Sequence, residues 1–387
     1  MAEYIYPKNW QIKKLGEVCD KISLNGIKIK QKDYLEKGKF PVVDQGQTII
    51  GGYSNEEKMI VPGEPPYIIF GDHTKVKKFI NFKFIAGADG VKVLKPYSLF
   101  DPKFFFYLIQ TTEIPNKGYA RHFQFLEKAE IPIPPLQEQL TIVSKIEELL
   151  SDLENGKRQL QLAQQQLKVY RQSLLKWAFE GKLTRNEKAW KTMKLGEIAN
   201  AIDPQPSHRT PPIFTNGIPF VSIKDFDSVG DRINFLSARK VNQNVLEEHL
   251  ARYKLELGDF VIGKIGTIGK PVRIVLPQNY TLSANIVLIQ PRKINPTYLY
   301  YFFQSNLIEK AFSAGMNSTT QAAFGIQKVR ELNIELPCCE EQQRIVDELE
   351  SKLTVCDKIE QAINQSLLQA ETLRQSILKK AFEGKLI

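Results

Sequence analysis

RQSLLKWAFEGKL (Arg171–Leu183) stands near the middle of this 387-residue sequence, and RQSILKKAFEGKL (Arg374–Leu386) stands 203 residues further on. The same offset holds upstream. IPIPPLQEQLTIV (Ile131–Val143) lies over IELPCCEEQQRIV (Ile334–Val346), with Pro134 over Pro337 and Glu138-Gln139 over Glu341-Gln342. Across 54 ungapped positions 20 are identical, several times what chance gives. The segment is a duplication.

A second repeat has a different offset. Trp10 and KLGE (Lys14–Glu17) lie over Trp190 and KLGE (Lys194–Glu197), 180 residues apart. The segments between these framework pieces, about 20–130 and 200–333, therefore differ in length and show no sequence similarity to each other. The chain reads as leading motif, variable block and helix, then the same three again.

The framework helices carry a heptad pattern. Steps of four and three from Ile142 meet Ile146, Leu149, Leu153, Gly156, Leu160, Ala163, Leu167, Tyr170, Leu174 and Trp177, ten of eleven apolar. The equivalent register from Ile345 to Lys380 is apolar at eight of eleven. A seam this long predicts two helices packed on each other, each about 45 residues and roughly 65 Å long. Pro134-Pro135 and Pro337 mark their starts, Gly181 and Gly384 their C-caps. Antiparallel pairing would set the second AFEGKL beside Trp10, as the first sits beside Trp190, and would give the chain a pseudo-twofold axis with adjacent termini.

The net charge of +10 falls as +5 on residues 1–135 and +5 on residues 190–337, with the other segments nearly neutral. Two matched basic blocks point to a polyanion partner. No run approaches the roughly 18 apolar residues of a membrane span, and MAEYIYPKNW lacks a signal peptide's apolar core. Cys19, Cys338, Cys339 and Cys356 have no CxxC spacing, which suits a reducing cytoplasm.

Both blocks read as mixed α+β. Block one has KFPVVDQGQTIIGGY and PYIIFGD before a helix at DPKFFFYLIQ. Block two has GIPFVSI, LELGDFVIGKIGTIGKPVRIVL and NYTLSANIVLIQ before a helix at PTYLYYFFQS. The aromatic runs Phe104–Tyr107 and Tyr298–Phe303 read as helix core rather than base-stacking platforms. GKIGTIGKP (Gly263–Pro271) fails as a phosphate loop, with five residues between its glycines and Pro271 where a Ser or Thr belongs. A glycine-rich turn against a nucleic-acid backbone and a plain hairpin are the two readings left. His73, His122, His208 and His249 have no metal-ligand spacing, and no nucleophile elbow or dinucleotide glycine motif is present. Asp203–Pro206 (DPQP) reads as a loop.

In its KLGE motifs, its IPIPPLQEQ start and its duplicated RQS…AFEGKL ends, the sequence resembles the specificity (S) subunits of type I restriction–modification systems. The resemblance covers essentially the whole length. GDHTKVKKF, AGADGVKVLKP and GYARHFQFL in block one, and LELGDFVIGKIGTIGK and SANIVLIQ in block two, look like target recognition domain segments of two classes. Cys338-Cys339 departs from the usual Pro-Leu. The resemblance implies an α+β protein with two mixed α/β target recognition domains separated by two long antiparallel helices in a coiled coil. These are recognition domains at 1–135 and 184–337, and spacer helices at 136–183 and 338–387. Each domain would read half of a bipartite double-stranded DNA site. The helices would set the gap and dock two methyltransferase (M) subunits, which use S-adenosylmethionine. Restriction/translocase (R) subunits with ATP and Mg would join them, and this chain would hold no cofactor or metal and catalyse nothing.

Chemistry selects the candidate DNA contacts: Arg, Lys, Gln and Asn for base edges, Lys and turns for phosphates. In block one they are Gln45, Gln47, His73, Lys75, Arg121 and His122. In block two they are Lys224, Lys264, Thr267, Lys270, Asn317, Ser318, Thr319 and Gln321. Two other classes remain to be tested against this one. A pure protein scaffold is opposed by the matched basic blocks, and a nuclease acting alone by the missing catalytic motifs.

Overall fold

The computed structural model describes residues 6–87, 90–115, 118, 121–184, 190–207, 209–227, 232–264, 271–308 and 325–386. The chain divides into two compact units, residues 1–161 with 364–387, and residues 162–363.

In unit 1 the leading strand Gln11–Lys14 pairs antiparallel with Glu130–Ile133, directly before the first long helix. The Leu15 amide donates to Ala129 O, seating the KLGE leucine in the core. A four-stranded antiparallel sheet runs in the order Cys19–Ile22, Val91–Pro96, Tyr67–Gly71, Lys77–Ile80. A second sheet sets Phe40–Val43 parallel to Ile85–Gly87 and antiparallel to Gly52–Ser54. Helix Pro102–Thr111 begins with Pro102 at its first position and Asp101 accepting from the Phe104 amide, an N-terminus that removes orphan donors twice over.

Unit 2 repeats this plan. Lys191–Lys194 pairs with Asn333–Leu336, and the Leu195 amide donates to Leu332 O. The larger sheet runs Ala199–Ile202, Ile286–Pro291, Phe260–Gly263, Pro271–Arg273, all antiparallel. The smaller sheet sets Ile218–Val221 parallel to Thr281–Leu282 and antiparallel to Arg239–Val241. Helix Pro296–Gln304 again starts on proline behind a capping residue, Asn295. The two variable blocks, unrelated in sequence, thus share strand order, strand direction and closing helix. Helix Gln243–Leu250 is an addition in block two, and strand Lys28–Ile29 one in block one.

The long helices run Leu136–Phe179 and Cys339–Phe382, 44 residues each. Within unit 1 the start of the first meets the end of the second, with Lys157 paired to Glu371 at 3.7 Å. Within unit 2 Arg171 bridges Asp357 at 2.6 Å and Glu360 at 3.0 Å. The helices are antiparallel in both units.

Their packed face departs from the heptad register. Ile142, Ile146, Leu149 and Leu153 turn inward as expected, but further on the inward positions are Leu167, Arg171, Leu174 and Ala178. Tyr170 and Trp177 are left 43% and 41% exposed. The second helix drifts alike, with Ala370, Arg374, Ile377 and Ala381 inward and Leu373 half exposed. The cause is geometric: an unwound α-helix has about 3.6 residues per turn, so a 3.5-residue pattern falls about 20° behind per heptad.

The closing helices are apolar core, with Phe104, Phe105, Tyr298, Leu299 and Phe303 buried. AFEGKL supplies the contact from the other side. Phe382 stands edge-on to Phe104 at 5.2 Å, and Phe179 edge-on to Tyr298 at 5.1 Å and to Phe302 at 5.3 Å. In unit 1 Leu378, Ala381 and Phe382 share a core with Trp10 and Leu15; in unit 2 Ala178 and Phe179 share one with Leu195, and Trp190 packs against it. No helix among the described residues is long and apolar enough to cross a membrane.

Candidate nucleic-acid interface

In block one, four loops converge at one end of the larger sheet. Strand Tyr67–Gly71 ends in Gly71, and Asp72 follows it into the hairpin that carries His73 and Lys75. Lys75 sits at φ 58°, a left-handed conformation unusual outside glycine, at the hairpin tip. The Gln45 loop docks on this hairpin: its Oε1 accepts from the His73 amide at 3.3 Å, and Thr74 Oγ1 donates to Gln45 O at 2.8 Å. Gly90 completes the contact at φ 92°, where a Cβ would lie 2.8 Å from both Gln45 Oε1 and His73 Cδ2.

Buried charges hold these loops. Lys78 is 5% exposed and donates to Asp44 O at 2.7 Å and Thr48 O at 2.6 Å, pinning the turn that presents Gln47. Burial holds the Lys78 ammonium below the usual lysine range, against the opposing pull of Asp44. Asp72, 3% exposed, accepts from the Phe123 amide at 2.8 Å through Oδ1 and faces Lys92 at 3.5 Å through Oδ2. Its carbonyl accepts from the His122 amide at 2.9 Å, with His122 Nδ1 at 3.0 Å from the same oxygen. Asp72 therefore fastens the short helix Phe123–Glu127 to the hairpin.

Of the block-one candidates, Gln45 and His73 are brought together, Lys75 lies at the same tip, and Gln47 and Arg121 are exposed. His122 differs from the rest. Its ring is fully buried and works as an anchor next to the exposed Arg121.

Block two builds the corresponding place with opposite charge. Gly71 pairs with Val91 as Gly263 pairs with Ile286, and the next amides, of Asp72 and Lys264, donate to Gly90 O at 2.7 Å and Asn285 O at 2.8 Å. Lys264 is thus the topological equivalent of Asp72. It is 7% exposed, and its ammonium meets Asp203 Oδ2 at 2.6 Å. The DPQP loop is thereby part of the support. Gln205 Oε1 lies 2.5 Å from His249 Nε2, and His249 Nδ1 contacts Tyr253 and Thr281. Burial holds His249 below the usual histidine range and pushes Tyr253 up to about 12. Lys224 is exposed beside the Ser222–Asp225 capping box. Strands Phe260–Gly263 and Pro271–Arg273, which flank residues 265–270 of GKIGTIGKP, pair antiparallel; residues 265–270 lie outside the described residues. Thr267, Lys270, Asn317, Ser318, Thr319 and Gln321 lie outside the described residues.

Asp72, Lys78, Lys92, Asp203, Gln205 and His249 escaped the sequence reading. For Asp72 the one signal is the charge directly after a strand-ending glycine, in IIFGD, which FVIGK repeats with Lys264. Among the described residues no group of three or more His, Cys, Asp or Glu side chains is arranged to hold a metal ion.

The family model described as "Type I restriction modification DNA specificity domain" matches residues 7–164 and 187–369. The chain is 30% identical to the EcoKI specificity subunit of Escherichia coli strain K12, over 66% of this chain and 57% of that protein. It is 23% identical to the Escherichia coli EcoDI specificity subunit over 98% of this chain and 89% of the other. Matches to EcoKI and the related EcoBI subunit span only 57% and 59% of those proteins. Among solved structures, the HsdS subunit of Thermoanaerobacter tengcongensis is similar with a TM-score of 0.59, at 20% identity over 99% of both chains. A chain from a study of complex assembly and conformational transition of the type I R-M system is similar with a TM-score of 0.70. It is 20% identical over 99% of this chain and 100% of its own.

Proposed function

Because the chain belongs to the type I restriction–modification DNA specificity family, we propose that it is the sequence-reading subunit of such a system. Each block reads one half of a bipartite site on double-stranded DNA. The long helices set the gap between the halves and dock two methyltransferase subunits, with restriction subunits joining that core. The chain catalyses nothing. S-adenosylmethionine belongs to the methyltransferase partner, ATP and Mg to the nuclease partner, and the complex works in the cytoplasm.

One observation carries this reading: two blocks of one fold, unrelated in sequence, hold different polar side chains directly after the equivalent strand, Asp72 in one and Lys264 in the other. A duplicated scaffold with diverged loops is what reading two different half-sites requires, since phosphate contacts position a protein while base contacts specify. The +5 on each block supplies the attraction to DNA. Block one supports Gln45, Gln47, His73, Lys75 and Arg121 as contacts, with His122 behind them. Block two supports Lys224 as a contact and Lys264 as a support at the end of strand Phe260–Gly263; Thr267, Lys270, Asn317, Ser318, Thr319 and Gln321 complete the proposed set. Mapping methylated adenines in DNA modified by the complex tests the reading. Two short motifs at a fixed gap are expected; one uninterrupted motif, or none, would sink it.

A further inference from the structure

The Glu-Gln dipeptide near the start of each long helix is left without a role by DNA contact, and its glutamine makes two equivalent bonds in both units. Gln139 is fully buried. Its Oε1 accepts from the Asp101 amide at 2.9 Å, while Nε2 donates to Leu99 O and Pro134 O, each at 2.9 Å. Gln342 is 1% exposed. Its Oε1 accepts from the Asn295 amide at 2.8 Å, and Nε2 donates to Pro337 O at 2.8 Å. Asp101 and Asn295 are the capping residues of the closing helices. One side chain thus ties the first turn of the long helix to the first turn of the closing helix.

A second tie lies two turns along. Lys103 donates to Glu147 at 2.6 Å in unit 1, and Tyr301 donates to Glu350 at 3.4 Å in unit 2. The ties sit eight residues apart on each long helix, and two and six residues apart on the closing helices. Two separated points fix an angle where one would leave a pivot. The phenylalanine of AFEGKL holds the closing helix from the opposite long helix.

We propose that Gln139 and Gln342, seconded by the Lys103–Glu147 and Tyr301–Glu350 pairs, are positioning residues for half-site spacing. They lock the angle at which each recognition domain leaves its helix, and so restrict the gap in the DNA that both domains can span. The inference rests on the bipartite reading above. It adds that gap fidelity is set at these two joints, and not by helix length alone. Around a buried glutamine the partner amide has no water to turn to, so loss of the bond loosens the joint instead of exchanging one partner for another.

The test uses the full chain in complex with its methyltransferase subunits. Affinity is measured on duplexes carrying both half-sites at the natural gap and at one base pair more or less. Gln139→Met with Gln342→Met keeps side-chain length and packing. It should lower the discrimination between gaps about tenfold while binding to random DNA at the same salt is unchanged. Lys103→Leu with Tyr301→Phe leaves the core intact and should lower it by about threefold. Unchanged discrimination in folded Met variants overturns the inference. If the Met variants melt early, the Lys103→Leu and Tyr301→Phe pair decides: reduced gap discrimination supports the inference and unchanged discrimination refutes it. A wild-type complex indifferent to the gap would remove the bipartite reading and the inference together, whereas a gap-sensitive wild type with equally sensitive variants removes the inference alone.

Discussion

The two recognition domains place charges of opposite sign at one topological position. In block one the residue after the central strand's glycine is Asp72, answered by Lys92 and the amide of Phe123; in block two it is Lys264, answered by Asp203. The backbone there is the same, since both amides continue the sheet into the neighbouring turn. The position thus demands a buried, satisfied charge and is indifferent to its sign. The partners come from different elements, which ties the strand end to different neighbours: strand Val91–Pro96 and helix Phe123–Glu127 in one block, the DPQP loop in the other. A scaffold that accepts either solution can exchange its reading loops without losing its sheet.

Removing one member of the pair in block two should have the largest effect. Lys264→Met takes the ammonium away from Asp203, and loss of a buried partner costs about 3 kcal/mol. Urea denaturation with hydrogen exchange should place the loss in block two, with block one unmoved. A loss spread evenly over both would break the idea that each block has its own support. Gly90→Ala should cost block one about 2 kcal/mol, through its positive φ and the collision with Gln45 and His73. It should also degrade reading of one half-site while leaving the other intact, seen by binding to duplexes mutated in each half. Arg121→Ala should weaken cognate binding by about tenfold more than random DNA at fixed salt, the mark of a base contact; equal loss would reduce Arg121 to a phosphate contact.

The smallest expected effect is on pH. Burial, reinforced by Arg252, holds His249 in block two below its unfolded value of 6.5. Below that pH the unfolded chain binds a proton that the fold refuses, so stability is lost as pH falls through 6.5 toward the folded pKa. Melting between pH 7.5 and 5.5 should show this loss, and His249→Gln should flatten it. An identical slope in that variant would clear His249 of the effect.

The starts and ends of the long helices were readable because prolines and terminal glycines act locally. The packing of AFEGKL against the leading motif followed from the duplication and antiparallel pairing. The heptad register was readable at Ile142 and Ile146 and lost at Tyr170 and Trp177, because a 3.5-residue period and a 3.6-residue helix separate by one position over five heptads. His122 looked like Arg121 on paper; only the fold turns one ring inward and leaves the other side chain in solvent.

By itself, the sequence determined the duplication, the two basic blocks, the long helices with their caps and the place of each block between them. These depend on identity, charge and local backbone preference, which need no knowledge of distant neighbours. Only the tertiary structure decided that the blocks share one fold, that Asp72 and Lys264 stand at one position, and that Gln139 and Gln342 lock equivalent joints. Sheet pairing runs through backbone groups that many sequences satisfy alike. A buried charge or glutamine is defined by the partner that reaches it across the fold, and no local pattern in the chain records which one does.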